Sequence, residues 1–311
     1  MLRPPRLRPG DLVGVVSPAG PLKKSKLQNL DRGVRYLENQ GYHVLQGRHV
    51  CERQGYLAGS DEMRAADLND MFRQPDVSAI FCTRGGYGIT RLLDRIDYHA
   101  VQTQPKILVG YSDITALQLA LIKKTGLVSF SGPMVAVELG DALSPLTAAS
   151  MWTLLNGKSV DLFESASGAG IKTMAGGRAV GLLLGGCLSV LVSLLGTPYM
   201  PDMNGAILLL EDIGEDLYKI DRSLSQLKNA GILDAANGVL LGQFLDIAKD
   251  DNDPPMEVME VFDYYLRPLG VPVLYNVPYG HGPIKLTLPL GCPVELDADA
   301  HHLRMLQACL A

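Results

Sequence analysis

The sequence predicts an α/β protein: a parallel sheet built from βαβ units, followed by a β-rich second part of small-sheet or barrel-like form. Three observations predict it. Short apolar runs alternate with helical spacing through the first part of the chain. Near residue 155 the texture changes to a stretch rich in Gly, Ser and Ala. Beyond it, strand-like runs are separated by turn formers up to the C-terminal residues.

In chain order, residues 11–17 read as a buried strand ending at Pro18-Ala19-Gly20. Leu27, Leu30, Val34 and Leu37 then follow helical spacing, with Gly41 as the stop. His43-Val44-Leu45 reads as the next strand, and residues 61–72 as a helix with Ser60 as N-cap. Residues 77–82 and 107–110 are two further apolar strands; Leu117 and Leu121 mark a helix after the second. Such alternation implies right-handed parallel crossovers. In the remainder, residues 206–210, 238–241 and 271–274 read as strands, 217–230 as a helix and 284–310 as strand-like. The predicted division is 1–160, a linker at 161–177, and 178–311. A run at 179–196 has no charge, but Gly185-Gly186 divides it into a strand, a turn and a buried helix, so no membrane span is expected.

Composition sets further bounds. A chain of 311 residues that is 47% apolar and 20% charged has ample apolar surface for sizeable cores. A net charge of −5 without a basic stripe argues against nucleic acid as a partner. Five cysteines without a CxxC pair fit reduced thiols in a cytoplasmic protein. Residues 1–20 lack an apolar signal-peptide core, which also fits the cytoplasm.

Several residues carry possible chemistry. Gly110-Tyr111-Ser112-Asp113 joins a strand to a helix, the setting of an exposed nucleophile whose oxyanion the following amides can stabilise. Ser112 or Asp113 capping the helix is the alternative. Phe81-Cys82-Thr83-Arg84-Gly85-Gly86-Tyr87-Gly88 follows another strand, and loops after parallel strands gather at one sheet edge. The amides of Gly86 and Asp113 are the candidate oxyanion donors; a phosphate-binding loop is the competing reading, weakened because Arg91 stands where a third Gly is needed. Of six histidines, His281 lies between two glycines in a loop, a base or a structural residue. Glu211, directly after an apolar strand, is the candidate acid. No cluster has metal-ligand spacing, and no cofactor is expected.

The chain resembles the LD-carboxypeptidase family of serine peptidases. The resemblance runs through Ser17-Pro18-Ala19-Gly20, Arg84-Gly85-Gly86-Tyr87-Gly88, Gly110-Tyr111-Ser112-Asp113-Ile114-Thr115, residues 181–186, Leu210-Glu211-Asp212 with Tyr218, Asp221 and Arg222, and Gly280-His281-Gly282. It implies a Ser112–Glu211–His281 triad, an N-terminal flavodoxin-like domain, a C-terminal β-rich domain of swivelling barrel type, and a homodimer. The implied reaction releases D-alanine from murein tetrapeptides by cutting after an L-centred diamino acid. Such selectivity needs a cation for the terminal carboxylate; Arg84 is the candidate, with loop stabilisation as its alternative role. The microcin-immunity branch, which cleaves peptide- or aminoacyl-nucleotide conjugates, is a second reading, weakened because the single Trp152 falls in a helix before the linker. A non-catalytic two-domain binding protein is a third.

Overall fold

The computed structural model describes residues 1–158, 161–166, 170–248 and 256–311. The first part runs β1 (Leu12–Val16), α1 (Leu27–Asn39), β2 (His43–Gln46), α2 (Asp61–Arg73), β3 (Val77–Cys82), α3 (Tyr98–Thr103), β4 (Ile107–Gly110), α4 (Ile114–Thr125), β5 (Ser129–Ser131) and α5 (Pro145–Leu155). The second runs β6 (Lys172–Ala175), β7 (Arg178–Cys187), α6 (Leu188–Val192), β8 (Ile207–Ile213), α7 (Leu217–Asn229), α8 (Ile232–Ala235), β9 (Gly238–Leu245), α9 (Val258–Leu266), β10 (Val273–Tyr275), β11 (Leu288–Leu290), β12 (Pro293–Asp297) and β13 (His302–Met305).

Local chemistry explains these boundaries. Ser60 Oγ accepts the Met63 amide to cap α2, whose first turn carries Asp61 and Glu62 and whose last carries Arg73, matching the helix dipole. Gly126 ends α4 in the left-handed conformation at φ 75°. The middle strands β3 and β4 are almost wholly buried because helices cover both faces, so they read as continuous apolar runs rather than alternating ones.

The first sheet has the order β11-β5-β4-β3-β1-β2, parallel except for β11. Strands β2, β1, β3, β4 and β5 thus follow the flavodoxin-like order, whose switch point lies between β1 and β3. The loops after those two strands are joined there. The Ser17 and Thr83 hydroxyls are 2.7 Å apart, and the Gly20 amide donates to Gly85 O at 3.2 Å. The loop after β4, which holds Ser112, lies beside them.

The second sheet, β13-β12-β7-β8-β9-β10-β6, is parallel from β7 to β10 and antiparallel at its margins, curling into a half-barrel. Four expectations change. The Gly185-Gly186 pair is no turn: β7 runs through it to Cys187. Both glycines are at φ 136°; a side chain on Gly185 would strike the Leu209 carbonyl, and one on Gly186 would strike Thr115 of α4. Glu211 and Asp212 are not delivered into a loop, because β8 continues to Ile213. The stretch 161–177 contributes β6, which pairs with β10, while residues 159–160 and 167–169 near its boundary lie outside the described residues. The tail does not serve the second sheet alone, since β11 pairs with β5 of the first. Among the described residues no helix is long and apolar enough to cross a membrane.

Candidate active site

The turn after β4 is the first component. A strand that passes into a helix within three residues needs one sharply bent position, and Ser112 supplies it at φ 65°. A non-glycine residue there costs about 1–2 kcal/mol, so the surroundings must hold it. Gly110 O accepts both the Gly132 amide at 3.3 Å and Gln118 Nε2 at 3.0 Å, and the Thr115 amide donates to Ser112 O at 2.9 Å. Neither candidate cap acts as one. Asp113 stands at the N-cap position without capping α4; its Oδ2 instead accepts the Ile89 amide at 3.0 Å, tying the turn to the neighbouring glycine loop. Burial pushes the Asp113 carboxyl up, opposed by that bond and by Arg64. Ser112 is half-buried, and its hydroxyl has no hydrogen-bond partner among the described residues.

The glycine loop lies directly on Ser112. A methyl on Gly85 would sit 2.7 Å from Ser112 Cβ, 2.9 Å from Ser112 Oγ and 3.4 Å from the Asp113 nitrogen. The space beside Gly85 is therefore where a reacting carbonyl can meet both the hydroxyl and an amide. Gly86, at φ 128°, packs against Gly20 on the loop's far side. Buried Arg64 fastens the loop: its Nη1 donates to Pro18 O at 2.6 Å and to Gly88 O at 3.0 Å. Arg84 is half-buried, and its Nε and Nη1 donate to Gly85 O at 3.2 Å and Pro21 O at 3.1 Å, contacts that hold the loop. Gly85 and Arg64 were not among the sequence candidates, since a second Gly and a helical Arg carry no local signal of what they approach. Gly85→Ala is expected to lower kcat/KM by about 10²-fold or more in a folded protein, because it fills this space. Wild-type kcat/KM in that variant would contradict the assignment.

The candidate acid and base come from the second part. Glu211 is fully buried in β8, and its Oε2 accepts the His281 Nδ1–H at 2.8 Å. Burial pushes the Glu211 carboxyl up; the His281 bond is the largest opposing influence, and Lys285 acts in the same downward sense. The other carboxylate oxygen, Oε1, is buried without a partner among the described residues. Gly280, at φ 104°, lies so close to Glu211 that a side chain would collide with the carboxylate, and one on Gly282 would collide with Gln243. These glycines thus serve close approach. The His281 ring meets Tyr111, the neighbour of Ser112, edge to face at 5.0 Å and 67°. Asp212 is otherwise engaged, accepting the Ser189 amide at 2.8 Å.

The remaining histidines are placed elsewhere. His49 Nδ1 lies 2.8 Å from Asp67, His301 Nε2 lies 2.8 Å from the Thr173 hydroxyl, and His302 bonds Asp161. His43 and His99 are exposed. The fold thus sets a glycine loop on the strained Ser112 and a Glu-oriented histidine against Tyr111, its neighbour in sequence. That set can activate a hydroxyl for attack on an acyl carbon.

The chain matches known proteins over nearly its full length. The family model for the LD-carboxypeptidase N-terminal domain matches residues 13–132, and that for the LD-carboxypeptidase C-terminal domain matches residues 180–296. The chain is 38% identical over 296 residues to the "Probable murein peptide carboxypeptidase" of Bacillus subtilis, covering 95% of this chain and 91% of the relative. It is 35% identical over 300 residues to the murein tetrapeptide carboxypeptidase of Pseudomonas aeruginosa, covering 92% and 93%. It also superposes on the structure of MccF in complex with glutamyl sulfamoyl guanosine, with a TM-score of 0.90, 26% identity and full coverage of both chains.

Proposed function

The chain belongs to the LD-carboxypeptidase family, and on that premise we propose that this serine-type carboxypeptidase releases D-alanine from murein tetrapeptides. The bond cut is the amide after an L-centred diamino acid. The observation that carries the reading is the 2.8 Å bond between His281 and buried Glu211, set against Tyr111 beside the strained Ser112.

In the proposed reaction His281 Nε2 takes the Ser112 proton as Oγ attacks the carbonyl carbon. Glu211 holds Nδ1–H, fixing the tautomer that leaves Nε2 free to accept, and stabilises the imidazolium that forms. The amides of Asp113 and Gly86 are the proposed donors to the oxyanion. His281 then returns the proton to the departing D-alanine amine, and water hydrolyses the acyl-enzyme by the same path. Arg84 is the candidate ligand of the substrate's terminal carboxylate through Nη2, which has no hydrogen-bond partner among the described residues. The reading includes a homodimer acting in the cytoplasm, as the family resemblance implies.

A second reading, cleavage of aminoacyl-nucleotide conjugates, is favoured by the likeness to MccF. It is weakened at Trp152, which stacks on Tyr42 at 5.3 Å and donates its indole N–H to the Tyr36 hydroxyl, so it is occupied within the first part. Purified protein given a tetrapeptide ending in D-alanine should release that residue faster than it cleaves an aminoacyl sulfamoyl nucleotide. The reverse order of kcat/KM would favour the second reading, and neither reaction would reject both.

A further inference from the structure

Behind the Ser112 turn lies a buried ion pair that the reaction above does not use. Lys285 Nζ donates to Glu138 Oε1, with the lysine side chain 2% exposed and the glutamate 11%. The partners are 147 residues apart in sequence: Glu138 follows β5, and Lys285 follows the His281 loop. The segments that carry them are fixed by backbone bonds, and Glu138 Oε2 also accepts the Met134 amide at 2.9 Å. The amides of Val135 and Ala136 bond Cys82 O at 3.1 Å and Thr83 O at 2.9 Å, while the Lys285 amide bonds Thr147 Oγ1 at 3.0 Å.

The pair encloses Tyr111. The phenol donates to Glu138 Oε1 at 2.8 Å, and Lys285 Nζ stands 3.9 Å from the ring centroid. A bond in the ring plane and a cation over its face leave the ring one position. The edge-to-face contact of that ring with His281 then limits where the imidazole can lie. Removing two charges from water is costly, and apolar residues of like volume often serve stability as well. A pair kept here, spanning both parts of the chain, therefore points to geometry rather than to stability.

We propose that the Lys285–Glu138 pair is a positioning device, holding Tyr111 as the wall against which His281 is set for proton transfer from Ser112. The inference rests on the triad reading above. Its electrostatic surroundings agree with it. Burial pulls the Lys285 ammonium down from the ordinary lysine range, with Glu138 and Glu211 opposing this. The groups that act on Glu211, or on which it acts, are His281, Asp212, Lys285, Tyr111, Tyr279 and Cys187; among the first three, Lys285 and His281 favour its ionised form.

The test compares wild type, Ser112→Ala, Lys285→Met/Glu138→Gln and Tyr111→Phe, with D-alanine release from the tetrapeptide and unfolding measured in parallel. The double substitution removes both charges together, so neither is left buried alone. It should lower kcat by about 10²-fold with KM little changed, the scale of a displacement near 1 Å. A merely structural pair would lower stability and leave kcat and KM where they were, which overturns the proposal. If the double variant does not fold, Tyr111→Phe decides, since it breaks only the bond to Glu138; undiminished kcat there overturns it as well. Full activity in Ser112→Ala sinks the triad reading itself, and the proposal with it. An inactive Ser112→Ala beside an unaffected folded double variant sinks the proposal alone.

Discussion

Ser112→Ala is expected to lower kcat for D-alanine release by about 10⁶-fold, with KM for the tetrapeptide within a few-fold of wild type. The hydroxyl is the bond-forming atom in the proposed reaction, and no neighbouring group replaces it. The size of the loss can be assigned to chemistry because the fold has little stake in this side chain. Its hydroxyl has no hydrogen-bond partner among the described residues, and the residue is already held at φ 65°, where alanine pays much the same backbone cost as serine. Stability should therefore change by less than about 1 kcal/mol. His281→Ala should cost as much as Ser112→Ala, and the double replacement little more than either, because nucleophile and base act as a unit. Residual turnover above that of water would come from the oxyanion donors and substrate positioning. A Ser112→Ala protein with a tenth of wild-type activity would remove Ser112 from the mechanism.

Much of this was legible in the sequence, for identifiable reasons. The βαβ alternation is written in local periodicity, so β1, α1, α2, β3 and β4 can be read within a residue or two. Ser60 announces α2 because capping is a contact between neighbours in sequence. Ser112 and His281 stood out because turn chemistry is local too. What could not be read is long-range. Nothing near Leu288–Leu290 shows that this strand pairs with Ser129–Ser131 of the first sheet, and nothing near Lys285 names Glu138. Gly185-Gly186 was misread for a related reason. Paired glycines usually mark turns, whereas here they let the Leu209 backbone and Thr115 come close to an unbroken strand. The apolar run ends at Leu210, so the sequence places Glu211 after its strand rather than in it. It stays in the strand because His281, from a distant loop, supplies the donor that a buried carboxylate needs.

That burial gives the second large expectation. Glu211→Gln should lower kcat by about 10⁴-fold, less than loss of Ser112, because the acid orients the base without attacking. An amide can turn its NH₂ towards Nδ1, which drives the ring to the tautomer protonated at Nε2, unable to accept the serine proton. Even with its carbonyl turned to Nδ1, it offers no charge to stabilise the imidazolium. The same substitution has a thermodynamic signature whose sign follows from the raised Glu211 carboxyl. Between the ordinary carboxylate range and its folded value, the native protein holds a proton that the unfolded chain has released. Wild-type stability from this group is therefore present at acid pH and falls as pH rises through that window. The glutamine variant lacks the dependence. Urea unfolding of both proteins should show the variant gaining on wild type as pH is raised through that window, upwards from the ordinary carboxylate range. A stability difference that stays constant across that range would mean that Glu211 is not a buried carboxyl bearing its charge at a cost. Read with the kcat loss, the pH-dependent gain would locate the cost of the site: a charge is kept inside a parallel strand, at the expense of stability, so that one imidazole faces one hydroxyl in the right tautomer.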